Sequence, residues 1–265
     1  MKFHWMERGG DTSIGHLKTI SGIVDEFGYE SILLVYHSKI EDNWIKAARV
    51  LDTNHKFKYM PAIRTYAISP EYCAMICKAF YSISPNRLML NIVSGDLHKE
   101  ETSVDDLIWT GKDLDTPDKR LKYTDEWISK FNSLSGNAVS EIVMGGHSNE
   151  TRLMAEKYNA THLAMLNMHK QSYEDPNFIK NKKQMLSFSI IINDSEADIK
   201  EMLSRSLGSD RWTICGNKDS VKKQLIDLKK LGATDLLISP HPEDNNVSSI
   251  HYLVKEMIGE QNGIK

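Results

Sequence analysis

The feature that most constrains the fold is the run between residues 28 and 95, where short apolar segments alternate with helical patterns. The apolar segments cover residues 32–36, 57–63 and 88–93, and the stretches between them carry apolar residues at helical spacing. Each segment ends in polar side chains: His37 after the first, Arg64 after the second, and Asn91 and Ser94 in and after the third. Parallel strands whose C-terminal ends repeatedly carry polar groups are how an α/β barrel builds an active site.

The alternation continues along the rest of the chain and predicts eight strands. Further strand candidates cover residues 2–6, 141–144, 161–166, 186–192 and 235–238. Helical patterns cover residues 14–27, 41–51, 70–83, 118–132, 149–158, 196–207, 220–231 and 247–258. Strands separated by helices imply parallel pairing through right-handed crossovers. Eight such units in 265 residues favour an α/β fold of the closed (β/α)8 (TIM) barrel type, in a single domain spanning residues 1–265, over an open doubly wound sheet.

The composition argues against several classes of partner. The chain has 33 basic and 36 acidic residues, a net charge of −3 and no basic stripe, so we expect no nucleic acid partner. No apolar run approaches the roughly 20 residues that span a bilayer. The N-terminus also lacks the apolar core of a secretion signal. We therefore expect a cytoplasmic protein without a membrane partner.

The cysteines favour packing over metal binding or disulfide formation. Their number is three, and they show no paired spacing, which argues against a secreted disulfide scaffold. Cys73 and Cys77 are four residues apart in a predicted helix and so share one face. Helix packing explains the pair better than a metal site does, because no Cys-x-x-Cys or His-rich motif lies nearby. We predict no metal site.

Several short motifs follow one another in an order that is specific as a set. They are Gly28-Tyr29-Glu30-Ser31, the run from His37 to Trp44, Ala62-Ile63-Arg64 with Ser69-Pro70, Ser84-Pro85-Asn86-Arg87 with Asn91-Ile92-Val93-Ser94-Gly95, and Met144-Gly145-Gly146-His147-Ser148. Over most of the chain these motifs resemble the bacterial luciferase-like flavin-dependent monooxygenase superfamily, and within it the alkanesulfonate monooxygenase branch. The resemblance implies a (β/α)8 barrel, usually a homodimer, that receives reduced FMN from a separate flavin reductase. It also implies that the enzyme uses O2 to oxygenate a small organic substrate.

Two groups of residues are candidates for binding the cofactor. The turn Gly145-Gly146-His147-Ser148 lies between a predicted strand and a predicted helix, where free backbone N–H groups and the helix dipole favour an anion. The resemblance assigns this turn to the FMN phosphate, and a plain strand–helix turn is the alternative. The resemblance also makes Asn91 and Ser94 flavin contacts, for which loop capping is the alternative.

Three residues are candidates for the reaction itself. His241 corresponds to a family tyrosine, so an imidazole acid or base would replace a phenol near the flavin. A rigid turn between Pro240 and Pro242 is the alternative. His37 stands in the place of a family arginine, and packing is its alternative. Arg64 ends the third predicted strand, where it could meet the flavin, an anionic substrate, a loop carboxylate or a structural salt-bridge partner.

The departures from the alkanesulfonate branch concern the substrate. Ser187 and Ser189 on the seventh predicted strand replace an arginine and a histidine that are suited to a sulfonate. Ile40 replaces a family cysteine, and the segment before Gly216 is too short for the mobile lid of the relatives. We therefore expect a substrate other than a simple alkanesulfonate. A non-catalytic flavin-binding protein of the same fold and a deazaflavin-dependent oxidoreductase are the alternatives.

Overall fold

The computed structural model describes residues 1–7, 13–36, 42–51, 55–94, 114, 116–166, 182–205, 213–242 and 246–263. The strands in this part of the chain are β1 (Lys2–Glu7), β2 (Ser31–Leu34), β3 (Lys58–Arg64), β4 (Met89–Val93), β5 (Glu141–Gly145), β6 (Thr161–Met165), β7 (Gln184–Ile192), β8 (Thr213–Gly216) and β9 (Asp235–Pro240). The helices are α1 (Ile14–Glu26), α2 (Asn43–Leu51), α3 (Pro70–Ile83), α4 (Pro117–Ser135), α5 (Asn149–Lys157), α6 (Glu196–Arg205), α7 (Lys218–Lys230) and α8 (Val247–Gln261).

Eight of the strands form a closed parallel barrel. Each of β1 to β6 pairs with the next strand, β6 pairs with β7, β7 with β9, and β9 with β1. The predicted (β/α)8 barrel is thereby confirmed. β8 is an additional strand that pairs with residues Ser189 to Ile192 of β7, beyond the part of β7 that pairs with β6. β8 is absent from the predicted strands because its four residues are too few to show a period.

Side chains along each strand alternate between the barrel interior and the surrounding helices. The interior is filled by Leu33, Met60, Ala62, Met89, Val143, Leu163, Met185 and Leu237. The outward side chains pack against the helices in a larger core, which includes the fully buried Cys73 and Cys77 of α3. Among the described residues, no group of three or more His, Cys, Asp or Glu side chains is placed to hold a metal ion. None of the described helices is both long enough and apolar enough to cross a membrane.

Side-chain caps fix where the helices that follow the strands begin. Ser69 accepts a hydrogen bond from the first turn of α3, and Pro70 is the first residue of that helix, as the sequence predicts. Thr116 and Pro117 play the same parts for α4. The Asp42 carboxylate accepts hydrogen bonds from two N–H groups at the start of α2. These caps set the positions of the strand ends relative to the helices.

A buried hydrogen-bonded group closes the N-terminal end of the barrel. Its centre is His4, whose Nδ1 lies 2.7 Å from Ser31 Oγ and whose Nε2 lies 2.9 Å from Asp235 Oδ1. Burial alone would raise the pKa of Asp235, but the hydrogen bond from His4 holds that pKa below its ordinary value. His4 faces inward, yet both of its ring nitrogens are engaged at the end opposite the strand C-termini. A packing role fits this geometry.

We predict that His4 and Asp235 stabilise the barrel as a unit. Asp235→Ala leaves the buried Nε2 of His4 without its partner, so we expect the free energy of unfolding to fall by about 3 kcal/mol. In the His4→Leu background the same substitution should cost less, which gives a coupling of about 1–2 kcal/mol in a double-mutant cycle. Urea denaturation measures all four proteins, and strictly additive costs would contradict the pairing.

Candidate active site

Polar side chains collect at the C-terminal end of the barrel, opposite His4. The inward-facing positions at the ends of β3, β4, β5, β7 and β9 hold Arg64, Asn91, Gly145, Ser189 and Ser239. The strand register places Asn91 beside Ala62 of β3 and Val143 of β5, and it pairs Ser189 with Ser239. This end is where (β/α)8 barrels carry their active sites.

Asn91 presents a buried acceptor that has no partner. The residue is only 2% exposed, and its Oδ1 makes no hydrogen bond. An unpaired buried acceptor costs about 1–3 kcal/mol, so the position favours a ligand that donates a hydrogen bond. A Cβ on the neighbouring Gly145 would lie 3.4 Å from this oxygen, so the glycine keeps the space in front of it free of side-chain atoms. The edge of a flavin-type ring carries N–H groups that fit such an acceptor.

The turn after β5 connects the barrel to the N-terminus of α5. The Gly146 N–H donates to the carbonyl of Leu163 on β6 over 3.1 Å. Ser148 caps α5 by accepting a hydrogen bond from the N–H of Thr151 over 3.2 Å. A Cβ on Gly146 would lie 2.8 Å from Thr151 Oγ1, so the turn needs glycine at this position. The arrangement expected for Gly145 to Ser148 is present, and its role toward a phosphate stays a prediction.

The N-terminus of α5 stabilises a negative charge. The carboxylate of Glu150 accepts a hydrogen bond from its own backbone N–H and another from the Ser148 hydroxyl, and together these bonds lower the pKa of Glu150. Glu150 is exposed, so its side chain can move aside for an anion of higher charge. The turn thus offers the N–H groups and the dipole that a phosphate requires.

His162 on β6 supports this turn from outside the barrel. Its Nε2 lies 2.9 Å from the Gly146 carbonyl oxygen, and its Nδ1 lies 3.1 Å from Gln184 Oε1. Burial lowers the pKa of His162, although both hydrogen bonds oppose the shift. His162 is not among the predicted site residues, because the sequence around it does not indicate the hydrogen bond to the Gly146 carbonyl.

Arg64 lies at the rim of the barrel between two tyrosines. Its Nη1 donates to the Tyr66 hydroxyl over 2.8 Å, and its guanidinium carbon lies 5.6 Å from the centre of the Tyr36 ring. Arg64 also lines a groove between α2 and α3. These contacts hold a cation at the edge of the site, where it can attract an anionic group.

The wall on the far side of the barrel from Asn91 carries hydroxyl groups and a thioether. Ser187 Oγ lies 4.0 Å from Met6 Sδ, and Ser239 is fully buried with no partner for its Oγ. His241 is 1% exposed. Its backbone N–H donates to the Ile190 carbonyl over 3.2 Å and so extends the ladder between β7 and β9. The period of two through Leu237, Ser239 and His241 could have identified Ser239 from the sequence.

The predicted site residues therefore fall into distinct places. Asn91 and Gly145 lie together, and Gly146, His147 and Ser148 follow in the turn beyond them. His147 is exposed, and Ser94 is half-buried just after β4. His241 lies at the end of β9, on the opposite side, and Arg64 lies at the rim. His37 lies outside the described residues.

No family model matches the sequence, but solved structures match nearly the whole chain. EDTA monooxygenase from Chelativorans sp. BNC1 is 13% identical with a TM-score of 0.76, over 98% of this chain and 94% of that one. An F420-dependent secondary alcohol dehydrogenase in complex with an F420–acetone adduct is 11% identical with a TM-score of 0.75, over 100% and 99%. The oxygenating component of 3,6-diketocamphane monooxygenase from Pseudomonas putida, in complex with FMN, is 13% identical with a TM-score of 0.71, over 96% of each chain.

The chain shares the (β/α)8 barrel fold of these proteins. The TM-scores of 0.71–0.76 show the shared fold, and at identities of 11–13% they show the fold alone. All three similar structures are enzymes, and two of them are described with a bound cofactor, F420 in one and FMN in the other. The unpaired Asn91 acceptor and the α5 turn lie at the C-terminal end of the barrel, the face at which (β/α)8 barrels carry their active sites.

We predict that alanine at position 146 destabilises the turn. The added Cβ would meet Thr151 Oγ1 at 2.8 Å and Thr151 Cγ2 at 3.0 Å. Gly146→Ala should therefore lower the free energy of unfolding by about 1–3 kcal/mol. Adding Thr151→Ala removes the two nearest of the contacting atoms and leaves only Cβ, 3.2 Å away, so it should restore most of the loss. Thermal denaturation measures both variants, and wild-type stability of Gly146→Ala would contradict the described packing.

Proposed function

We propose that the protein is a two-component flavin-dependent monooxygenase that oxygenates a small organic substrate. It would use O2 together with reduced FMN, which a separate flavin reductase supplies. The observation that carries the proposal is the buried Asn91 Oδ1, which has no partner and faces the space beside Gly145. This acceptor lies beside Gly145, and the turn that follows Gly145 leads to the N-terminus of α5. A helix N-terminus suits a phosphate. FMN carries ring N–H groups at one end of the molecule and a phosphate at the other.

The chain's residues would divide the task of binding. The turn from Gly145 to Ser148 would hold the phosphate through the N–H groups that follow Gly146, whose own N–H donates to Leu163. Asn91 Oδ1 would accept a hydrogen bond from the ring. Ser94, just after β4, would contact the flavin from the same side. The reduced flavin supplies the electrons that activate O2. The apolar interior below Asn91, which includes Met89 and Val143, would exclude water from the ring.

His241 and Arg64 would act on the substrate side. His241 is buried at the end of β9, across the barrel from Asn91, where an imidazole can take up or release a proton. Arg64 at the rim would attract the phosphate or an anionic group of the substrate. His37 stays a candidate for the same face, on the basis of the sequence alone.

The proposed substrate is not a simple alkanesulfonate. The alkanesulfonate branch, which the sequence motifs resemble, carries an arginine and a histidine where this chain has Ser187 and Ser189. Both serines belong to the inward-facing set of β7, and Ser187 and Ser189 are at most 4% exposed. Two short hydroxyl groups cannot neutralise a sulfonate as a cation does. The wall therefore suits an uncharged reacting group.

A substitution of Asn91 is expected to have opposite effects on the stability of the cofactor-free protein and on its affinity for reduced FMN. Asn91→Ala removes a buried acceptor that has no partner, so the cofactor-free protein should keep or gain stability. The same change should weaken the binding of reduced FMN about tenfold, which corresponds to the loss of one buried hydrogen bond. Asn132→Ala, at an exposed position of α4, is the control. Anaerobic titration measures affinity, and unchanged affinity in Asn91→Ala would contradict the assigned contact.

The F420-dependent dehydrogenase among the similar structures favours one second candidate, a deazaflavin-dependent oxidoreductase. Anaerobic titration with reduced FMN and with reduced F420 separates the two. Preference for reduced FMN, followed by consumption of O2, supports the monooxygenase. Preference for reduced F420 supports the oxidoreductase. Capture of oxidised FMN without any reaction with O2 would instead support a non-catalytic flavin-binding protein.

We further propose that two copies of the chain form a homodimer through α2 and α3. Large apolar side chains lie exposed on these neighbouring helices: Ile45 at 64%, Tyr72 at 58%, Met75 at 65% and Ile83 at 60%. Such a patch on one face is typical of a surface that another chain covers.

Met75→Glu should convert the dimer to a monomer, because it places a charge in the apolar interface. Tyr252→Glu on α8 is the matched control, since Tyr252 is 63% exposed on another face. Size-exclusion chromatography with light scattering measures the mass. A Met75→Glu variant that stays dimeric, or a wild type that is monomeric, would contradict this interface.

A further inference from the structure

We propose that His162 is a positioning residue for the cofactor phosphate, because it sets the direction of the peptide group between Gly146 and His147. The inference rests on the proposed function, since it concerns the same phosphate turn. It adds a residue that neither the sequence motifs nor the family resemblance indicates.

The backbone N–H and the backbone carbonyl of Gly146 are both hydrogen-bonded, and together these bonds fix the turn. Its N–H donates to the Leu163 carbonyl over 3.1 Å, and its carbonyl oxygen lies 2.9 Å from His162 Nε2. A carbonyl oxygen only accepts, so Nε2 carries the proton of this bond. Both partners belong to β6, and the turn is therefore held against one strand through two consecutive residues of that strand.

The direction of the next N–H follows from the planarity of the peptide bond. The Gly146–His147 peptide is trans, so its carbonyl and its N–H point in opposite directions. His162 faces outward from β6, in the alternation with Thr161 and Leu163, which face the barrel interior. The Gly146 carbonyl points toward His162, and the His147 N–H therefore points away from it. The proposal places the phosphate on this side of the turn, next to the N-terminus of α5.

Burial and the neighbouring Gln184 confine the imidazole. The Gln184 Nε2 donates to the His162 carbonyl over 3.1 Å and to the Met185 carbonyl over 3.3 Å, which fixes the amide beside the ring. The Gln184 Oε1 lies 3.1 Å from His162 Nδ1. In a neutral imidazole with its proton on Nε2 this is a packing contact, because Nδ1 then has no N–H to donate. His162 is 4% exposed and Gln184 is fully buried, so water does not replace Gly146 as the acceptor of the Nε2–H, and a ring that turned away would leave this N–H without a partner.

The Asn91 acceptor supports a ligand at this turn independently of the helix. Asn91 Oδ1 is buried, has no partner and lies 3.4 Å from the Cβ position of Gly145, the residue before Gly146. A ligand that satisfies Asn91 therefore lies next to the peptide group that His162 orients.

The test compares two ligands that differ only in the phosphate, reduced FMN and reduced riboflavin, by anaerobic titration. His162→Leu keeps apolar bulk but has no donor, and we expect it to lower the ratio of FMN to riboflavin affinity roughly tenfold. His162→Gln can place an amide donor near the position of Nε2, so it should keep the ratio within about threefold. His251→Leu is the control, because His251 is equally buried but packs against Trp5 and Tyr29, away from the turn.

The outcomes are distinguishable. A fall in the ratio for His162→Leu, with rescue by His162→Gln, supports the positioning role. If His162→Leu lowered the affinities for reduced FMN and reduced riboflavin equally, His162 would be only a packing residue. That result would overturn the inference and leave the proposed function intact. Failure of the wild type to bind reduced FMN would overturn the proposed function itself. Should His162→Leu not fold, His162→Asn replaces it, since its amide is one methylene too short to reach Gly146.

Discussion

The closed ladder of backbone hydrogen bonds around eight parallel strands is the constraint on which the rest of the structure depends. Closure through the β6–β7, β7–β9 and β9–β1 pairings forces every second side chain inward. Because all the strands run the same way, their C-terminal ends meet at one face. Residues that are far apart in sequence, such as Asn91 and Ser239, therefore line one space. The site is a consequence of closure rather than of any single loop.

The barrel interior changes in character from one end to the other. At the N-terminal end, His4 is satisfied on both sides by Ser31 and Asp235. The middle is apolar, with Met60, Met89 and Met185 among its side chains. At the C-terminal end, Asn91 Oδ1 and Ser239 Oγ are buried without partners. Within the barrel interior, the polar groups of the first layer are satisfied and the second layer is apolar, whereas the third retains unpaired polar groups whose cost a bound ligand would offset.

The sequence predicted the elements that depend on local patterns. Alternating strands and helices predicted the barrel, and the predicted helix over residues 70–83 has the bounds of α3. Asn91 and the turn from Gly145 to Ser148 came from the family motifs. The four-residue strand β8 is too short to show a period. His162 could not be predicted, because its role depends on a hydrogen bond to Gly146, which lies in the turn after a different strand. Ser239 was overlooked beside His241, although its strand period was visible.

We propose that FMN binds at the C-terminal end of the barrel, with its phosphate at the start of α5 and its ring at Asn91. The most direct measurement is a crystal structure of the protein with FMN. The claim predicts phosphate oxygens within hydrogen-bonding distance of the N–H groups between His147 and Thr151, and a ring N–H that donates to Asn91 Oδ1. A flavin bound elsewhere, or at this face with Asn91 Oδ1 still unpaired, would contradict it.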